Sequence, residues 1–382
     1  MIDIQEKNMC TGCGACVAAC PVSCIQMKAD EEGFLYPQVD KTKCISCGRC
    51  DKVCPVLHSP KLGEVCAAYA AKTLDDNLRA ESSSGGVFSE IAQYILEQSG
   101  VVFGAAFAED FSVQHICVDT VEQLGRLRGS KYVQSRIGET YSQVKQYLEA
   151  DRSVLFTGTP CQIAGLYGFL GKEYAKLYTQ DIICHGVPSP AVWKHYVKFQ
   201  ESKAGAQLSR VSFRDKVSGW RSYTVCLAFE NGVVYDQPVV ADPYMQSFLK
   251  DLCLRPSCYS CAFKTKQRCA DITLADFWGV QNCNPGLDDN KGTSLVVIHS
   301  EKGRQLFSAI EGKLRCELAD LEKAIAHNTA MMKSVMLKPE RGEFMDSVFR
   351  EDFAVIQRRY FQEKLSIRIK RKIKIVLKRI VK

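Results

Sequence analysis

The chain has 382 residues, 46% hydrophobic and 24% charged, with a formal net charge of +7. That length allows two or three compact units with cores of their own, and no stretch approaches the ~18 apolar residues a membrane-spanning helix needs. Residues 365–382 carry eight Lys and Arg and no acid, so the remainder sums to 7 − 8 = −1. The positive charge belongs to the tail, and a nucleic-acid partner is not expected.

The first sixty residues write C-x2-C-x2-C-x3-C-P twice: Cys10, Cys13, Cys16, Cys20 and Pro21, then Cys44, Cys47, Cys50, Cys54 and Pro55. This is a two-cluster ferredoxin signature, in which three closely spaced thiolates face one iron–sulfur cube and the fourth reaches the other. The ligand sets should therefore cross: Cys10, Cys13, Cys16 and Cys54 for one 4Fe-4S cluster, and Cys44, Cys47, Cys50 and Cys20 for the other. A zinc site usually takes two separated pairs and fits these runs poorly. Gly33 to Pro37 supply strand and turn material between the halves, and a unit this small needs its clusters as scaffold. Twenty Cys would suggest disulfides in a secreted protein. The start MIDIQEKNMC has no apolar h-region or cleavage site, so reduced, metal-bound thiols in the cytoplasm are expected.

From Glu64 the pattern turns to α/β alternation. Val87, Phe88, Ile91, Tyr94 and Ile95 recur at helical spacing after Ser82-Ser83-Ser84-Gly85-Gly86, and Gly100 closes that helix before a strand at 101–103. Residues 153–156 read as a buried strand feeding Thr157-Gly158-Thr159-Pro160 and a helix over 161–170. A strand over 177–184 follows, and Ser189-Pro190 starts the next helix. Residues 221–235 read as a β-hairpin turning at Glu230-Asn231-Gly232. A strand at 294–299 and a helix at 301–310 complete the body, and the chain past Asp320 reads as mainly helical.

Two strand-to-helix turns, at Ser83, Ser84, Gly85 and Gly86 and at Thr157, Gly158 and Thr159, could hold a phosphate or pyrophosphate at a helix N-terminus. Capping serines and flexible glycines explain the first equally well. Ser130, Lys131 and Tyr132 add polarity, charge and a ring suited to an anionic cofactor, although a solvated loop would show the same residues. His185 could donate a proton as a catalytic group, or serve as a structural hydrogen-bonder beside a strand end. Cys258 and Cys261 form a metal pair whose partners could be Cys161 and Cys184 at strand ends, or Cys253 and Cys269 in a local zinc knuckle. Cys24, Cys66, Cys117, Cys226, Cys283 and Cys316 read as small buried hydrophobes. In the tail, Leu365, Ile369, Ile373, Val376, Leu377 and Ile380 share one helical face opposite Arg368, Arg371, Lys372, Lys378 and Arg379, with Lys370 and Ile375 out of place. That pattern suits peripheral contact with an anionic membrane at its inner face, with a solvated tail as the alternative.

Residues 82–86, 128–132, 157–162, 184–188, 255–261 and 271–279, in this order, resemble the coenzyme F420 hydrogenase/dehydrogenase beta-subunit family. The resemblance implies an iron–sulfur flavoprotein that passes electrons between clusters, FAD and a second redox partner, such as a ferredoxin or a deazaflavin. It places Cys161, Cys184, Cys258 and Cys261 on a third cluster. Similar chains with a fused ferredoxin front occur in bacterial polysaccharide biosynthesis. The chain is thus expected to be α+β, with a two-cluster ferredoxin domain over 1–60, an α/β flavin- and iron–sulfur-binding body over 61–340, and a helical basic tail over 341–382. The expected activity is that of a ferredoxin- or F420-linked, flavin-dependent oxidoreductase. The rival reading is an electron-transfer subunit whose chemistry occurs in another polypeptide.

Overall fold

Each N-terminal cysteine run closes in one turn of helix, Ala15–Ala18 and Arg49–Lys52, entered through a left-handed glycine, Gly14 at φ 77° and Gly48 at φ 71°. Only a residue without a Cβ takes that turn cheaply, so the glycines between the thiols set how the loops wrap. Between the helices, β1 (Ile25–Ala29) and β2 (Leu35–Val39) pair antiparallel, with Ile25 opposite Val39. Little apolar surface is enclosed beyond Ile2, Ile25 and the thiols themselves. The computed structural model describes residues 1–361, and the amphipathic tail at 365–382 lies outside the described residues.

The body is built on an eight-stranded mixed sheet containing β3 (Ala67–Thr73), β4 (Val101–Phe107), β5 (Val113–Val118), β6 (Val154–Thr157), β7 (Leu177–Ile182), β11 (Ile272–Asp276), β12 (Ser294–Ile298) and β13 (Leu314–Leu318), in the order β13-β3-β12-β11-β7-β6-β4-β5. Its centre, β11-β7-β6-β4, is parallel, so these strands end on one edge, where open α/β sheets form their ligand crevices. Helices Val87–Glu97 and Glu301–Ile310 pack on one face. Helices Thr140–Glu149 and Pro160–Leu170 cover the other. Both faces are buried, which explains why Val154, Leu155 and Phe156 form a continuous apolar run.

Between β7 and β11 the chain inserts β8 (Leu208–Asp215), β9 (Thr224–Phe229) and β10 (Val234–Pro238), an antiparallel meander. Helices Pro190–Ala204, Pro243–Leu249 and Arg341–Arg350 share an aromatic core with it around Trp193, Tyr196, Phe213 and Tyr244. Past Asp320 the described chain alternates short helices with a loop at 332–340.

The N-terminal unit is tied to this body at several points. The fully buried Arg255 donates from Nε to the Cys10 carbonyl at 2.7 Å, from Nη1 to Gln134 Oε1 at 3.0 Å and from Nη2 to the Leu35 carbonyl at 2.9 Å. Its guanidinium lies 4.3 Å from the Tyr36 ring centroid. Arg341 forks onto Glu32 at 2.8 and 2.6 Å. A Cβ at Gly33 would meet that of Ala191 at 2.5 Å.

Candidate functional site

Cys20, Cys44, Cys47 and Cys50 wall one small cavity, and Cys10, Cys13, Cys16 and Cys54 a second. These are the two crossed sets that the spacing predicts. Backbone amides point at the sulfurs: Ile2 N donates to Cys50 Sγ at 3.1 Å and Cys24 N to Cys20 Sγ at 3.3 Å. Such donors favour thiolate over thiol and tune a bound cluster. Cys24, read from sequence as a plain buried hydrophobe, shares the first of these walls, its sulfur 3.4 Å from Cys20 Sγ. It is a fifth thiol at that site.

Cys161, Cys184, Cys258 and Cys261 come together from three places in the chain around one small cavity. Cys161 opens the helix after β6, where Thr159 and Gln162 form a reciprocal capping box. Cys184 follows β7, and the other two sit in the turn Pro256–Ser260 and just beyond it. Val187 N donates to Cys258 Sγ at 3.4 Å. Burial pushes the Cys184 and Cys258 thiols up to about 12, for Cys184 against the pull of the Lys264 ammonium. Four thiolates at this place therefore need a cationic centre, and the donor set fits an iron–sulfur cube. Cys253 and Cys269 are not in this wall. Cys253 is fully buried with its sulfur 3.3 Å from Ser247 Oγ, and Cys269 packs beside the helices under the sheet. Arg255, Lys264 and Arg268 line the cavity as well, and composition alone gave no signal for them.

Thr11 belongs to both the wall of the Cys10 cavity and that of the Cys161 cavity. A Cβ at Gly165, on the helix that Cys161 opens, would meet Cys13 Sγ at 3.0 Å.

Outside the carboxyl ends of β6, β7 and β11 lies a cleft of about 550 Å³. It shares Cys184, His185, Gly186 and Val187 with the Cys161 cavity. Of the predicted cofactor residues, Ser83, Ser84, Gly86, Ser130, Lys131, Tyr132, Thr157, Gly158 and Thr159 all line it. Gly85 does not: its Cβ position is closed off by the Ala71 carbonyl at 2.4 Å, so that glycine serves the contact of the turn with β3 and β12. The helix Val87–Glu97 has Gly86 as N-cap and no side-chain cap, and Gly86, Val87 and Phe88 line the cleft.

Several polar groups there already have partners. Ser83 Oγ accepts from Ser130 N at 2.8 Å, joining the two loops, and Ser84 Oγ donates to the Thr293 carbonyl at 2.8 Å. Lys131 Nζ donates to the Arg128 and Arg126 carbonyls at 2.7 and 3.1 Å, and burial holds its pKa below the usual lysine range. The sequence suggests a free cation at Lys131; the structure shows one that first braces its own loop. His185 Nε2 lies 2.7 Å from Asp251 Oδ1 and its ring meets Phe248 edge-on at 5.0 Å. His115, missed in the sequence, is buried at the cleft floor with Nε2 2.9 Å from the Thr157 carbonyl and Nδ1 2.7 Å from Ser135 Oγ. A carbonyl only accepts, so Nε2 carries the proton. Burial pulls this imidazole down to about 4 and keeps it neutral.

Family models match most of the chain. Residues 9–57 match a 4Fe-4S dicluster domain, residues 68–140 the N-terminal part and residues 151–324 the C-terminal part of the coenzyme F420 hydrogenase/dehydrogenase beta subunit. A coenzyme F420-dependent sulfite reductase of Methanocaldococcus jannaschii is 24% identical over 375 residues, 94% of this chain and 55% of that protein. The chain thus spans about half the length of this curated relative. A chain of the F420-reducing NiFe hydrogenase complex of Methanosarcina barkeri aligns with TM-score 0.48 and 18% identity, over 71% of this chain and 92% of that one.

Proposed function

The chain belongs to the coenzyme F420 hydrogenase/dehydrogenase beta-subunit family with a 4Fe-4S dicluster domain at its N-terminus, and from that premise we propose that it is a flavin-dependent oxidoreductase. Cys10, Cys13, Cys16 and Cys54 would hold one cluster, Cys20, Cys44, Cys47 and Cys50 a second, Cys161, Cys184, Cys258 and Cys261 a third, and the cleft an FAD. Bound there, the clusters supply one-electron transfer and the flavin the pairing of electrons for two-electron chemistry.

The observation that carries the reading is the sequence of shared walls. Thr11 joins the Cys10 cavity to the Cys161 cavity, and residues 184–187 join that cavity to the cleft. The chain's own residues keep this line rigid. Arg255 and Gln134 hold the Cys10 loop against the body. Asp251 accepts from His185 Nε2, which leaves Nδ1 as the nitrogen that can take or give a proton beside the cleft. The first-turn amides of the helix that Gly86 opens, with the joined Ser83 and Ser130, would seat the cofactor's phosphates. The redox partner would be a soluble ferredoxin or a deazaflavin, the latter favoured by the F420 dependence of the sulfite reductase relative.

Anaerobically reconstituted full-length protein should release FAD on heating. With a reduced ferredoxin as donor, it should consume a small-molecule acceptor. Absence of FAD binding at saturating concentration would refute the flavin assignment, and electron uptake with no acceptor consumed would favour a relay subunit.

A further inference from the structure

Arg214, at the end of β8, has a side chain only 3% exposed yet lines the cleft. Its Nη1 donates to Asp276 Oδ2, at the carboxyl end of β11. The guanidinium lies 4.3 Å from the ring centroid of Tyr223 and 5.4 Å from that of Trp278. Trp278 is itself stacked on the buried Trp220 at 4.7 Å, and Trp220 Nε1 donates to the other Asp276 oxygen at 3.2 Å. The two rings and Asp276 therefore hold this arginine in place. Among the described residues, its Nε and Nη2 nonetheless have no hydrogen-bond partner.

Those two nitrogens are adjacent donors on one side of the planar group, the edge that pairs with two oxygens of a carboxylate, phosphate or sulfur oxoanion. Leaving two N–H groups of a buried cation unpaired costs several kcal/mol by general experience with buried polar groups. A fold built only for stability would have given them carbonyls, as it gave Lys216 Nζ, two residues on, the carbonyls of Arg79, Lys291 and Ser84 at 2.6 to 3.3 Å. Asp276 neutralises the Nη1 end of the guanidinium.

We propose that Arg214, clamped between Tyr223 and Trp278, is a bidentate seat for the oxoanion of a ligand bound in the cleft. The oxoanion could belong to the flavin's own pyrophosphate or to the second substrate; the chemistry of the seat is the same, and it does not depend on the FAD assignment.

The test is calorimetric titration of the reconstituted full-length protein with inorganic phosphate and with sulfite, for the wild type and for R214K and R214Q. R214K keeps a charge opposite Asp276 and should fold normally, but it lacks the two-pronged edge. Wild-type protein should bind an oxoanion, and R214K should bind it at least ~10-fold more weakly, a loss of ~1.4 kcal/mol. R214Q should lose it further if it folds. Parallel titrations with FAD and riboflavin identify the source: weakening of FAD but not riboflavin by R214K assigns the seat to the flavin's phosphates. Unchanged FAD binding with lost phosphate or sulfite binding assigns it to the second substrate. Equal oxoanion affinity in wild type and R214K, or no oxoanion binding by the wild type, overturns the proposal, and neither result depends on whether FAD binds.

Discussion

Replacing Arg255 by Met should loosen the N-terminal unit from the body while leaving both folded. The side chain is fully buried and makes three hydrogen bonds, two of them to carbonyls of the N-terminal unit at Cys10 and Leu35. Hydrogen bonds from a charged donor contribute ~1.5–3 kcal/mol each, and the face of Tyr36 adds ~1 kcal/mol. Methionine fills the stem's volume but leaves three part-buried acceptors unpaired. The direct sum would reach ~5–10 kcal/mol. The observable loss is smaller, because undocking lets water reach the Cys10 and Leu35 carbonyls and so caps the cost at the free energy of docking. A loss of ~3–5 kcal/mol is expected, at the upper end for a single substitution. Arg341→Met should cost less, ~2 kcal/mol, because Glu32, at 18% side-chain exposure, can rehydrate without undocking. Urea unfolding of the reconstituted protein, with limited proteolysis of the exposed stretch near Leu57 to Leu62, measures both effects. Arg255→Met within ~1 kcal/mol of wild type and no more readily cleaved would refute the reasoning.

Simultaneous Cys258→Ser and Cys261→Ser should lower the iron content of reconstituted protein from about twelve to about eight per chain; a wild type with about eight Fe and one Zn would refute the third cluster. His115 gives a pH signature. Its folded-state pKa of about 4 lies below the unfolded value of 6.5, so the stability it contributes is complete above that value and is lost as pH falls toward the folded one. Taking the protein from neutral to about pH 5.5 should therefore cost wild type ~1.4 kcal/mol more than His115→Gln, read from paired urea curves, and parallel losses would refute the buried neutral imidazole. For the tail, a chain ending at Lys364 should bind anionic vesicles less than the full chain does at low salt. Equal co-sedimentation of the two would remove the tail as a membrane anchor.

What could be read in advance follows a physical division. Local patterns carried the ferredoxin runs, because each cluster's first three thiols lie within seven residues and the glycines between them permit only one wrap. They also carried the helices after Gly86, Thr159 and Ser189, where caps and apolar periodicity act within one turn. Strands β3, β11 and β13 escaped, since their identity comes from neighbours far along the chain: β3 is held by β12 and β13, more than two hundred residues away. Strand β5, on the sheet edge beside β4, and the helix Thr140–Glu149 escaped too. The site divides the same way. The serine and glycine turns announce themselves by composition, whereas Arg255, Arg268, His115 and Arg214 look in sequence like any other surface cation or lone histidine. Their roles arise only when burial removes water and leaves each group to be satisfied by what the fold brings near. Cys24 is buried, as its reading as a small hydrophobe expects, but its position beside a cluster thiol was not legible. Four residues past Cys20 it fits no ligand spacing, yet the turn after Pro21 returns its sulfur to 3.4 Å from the Cys20 sulfur. Spacing rules describe the shortest way for a chain to reach a cluster, and a chain that turns back can reach the same place by another route.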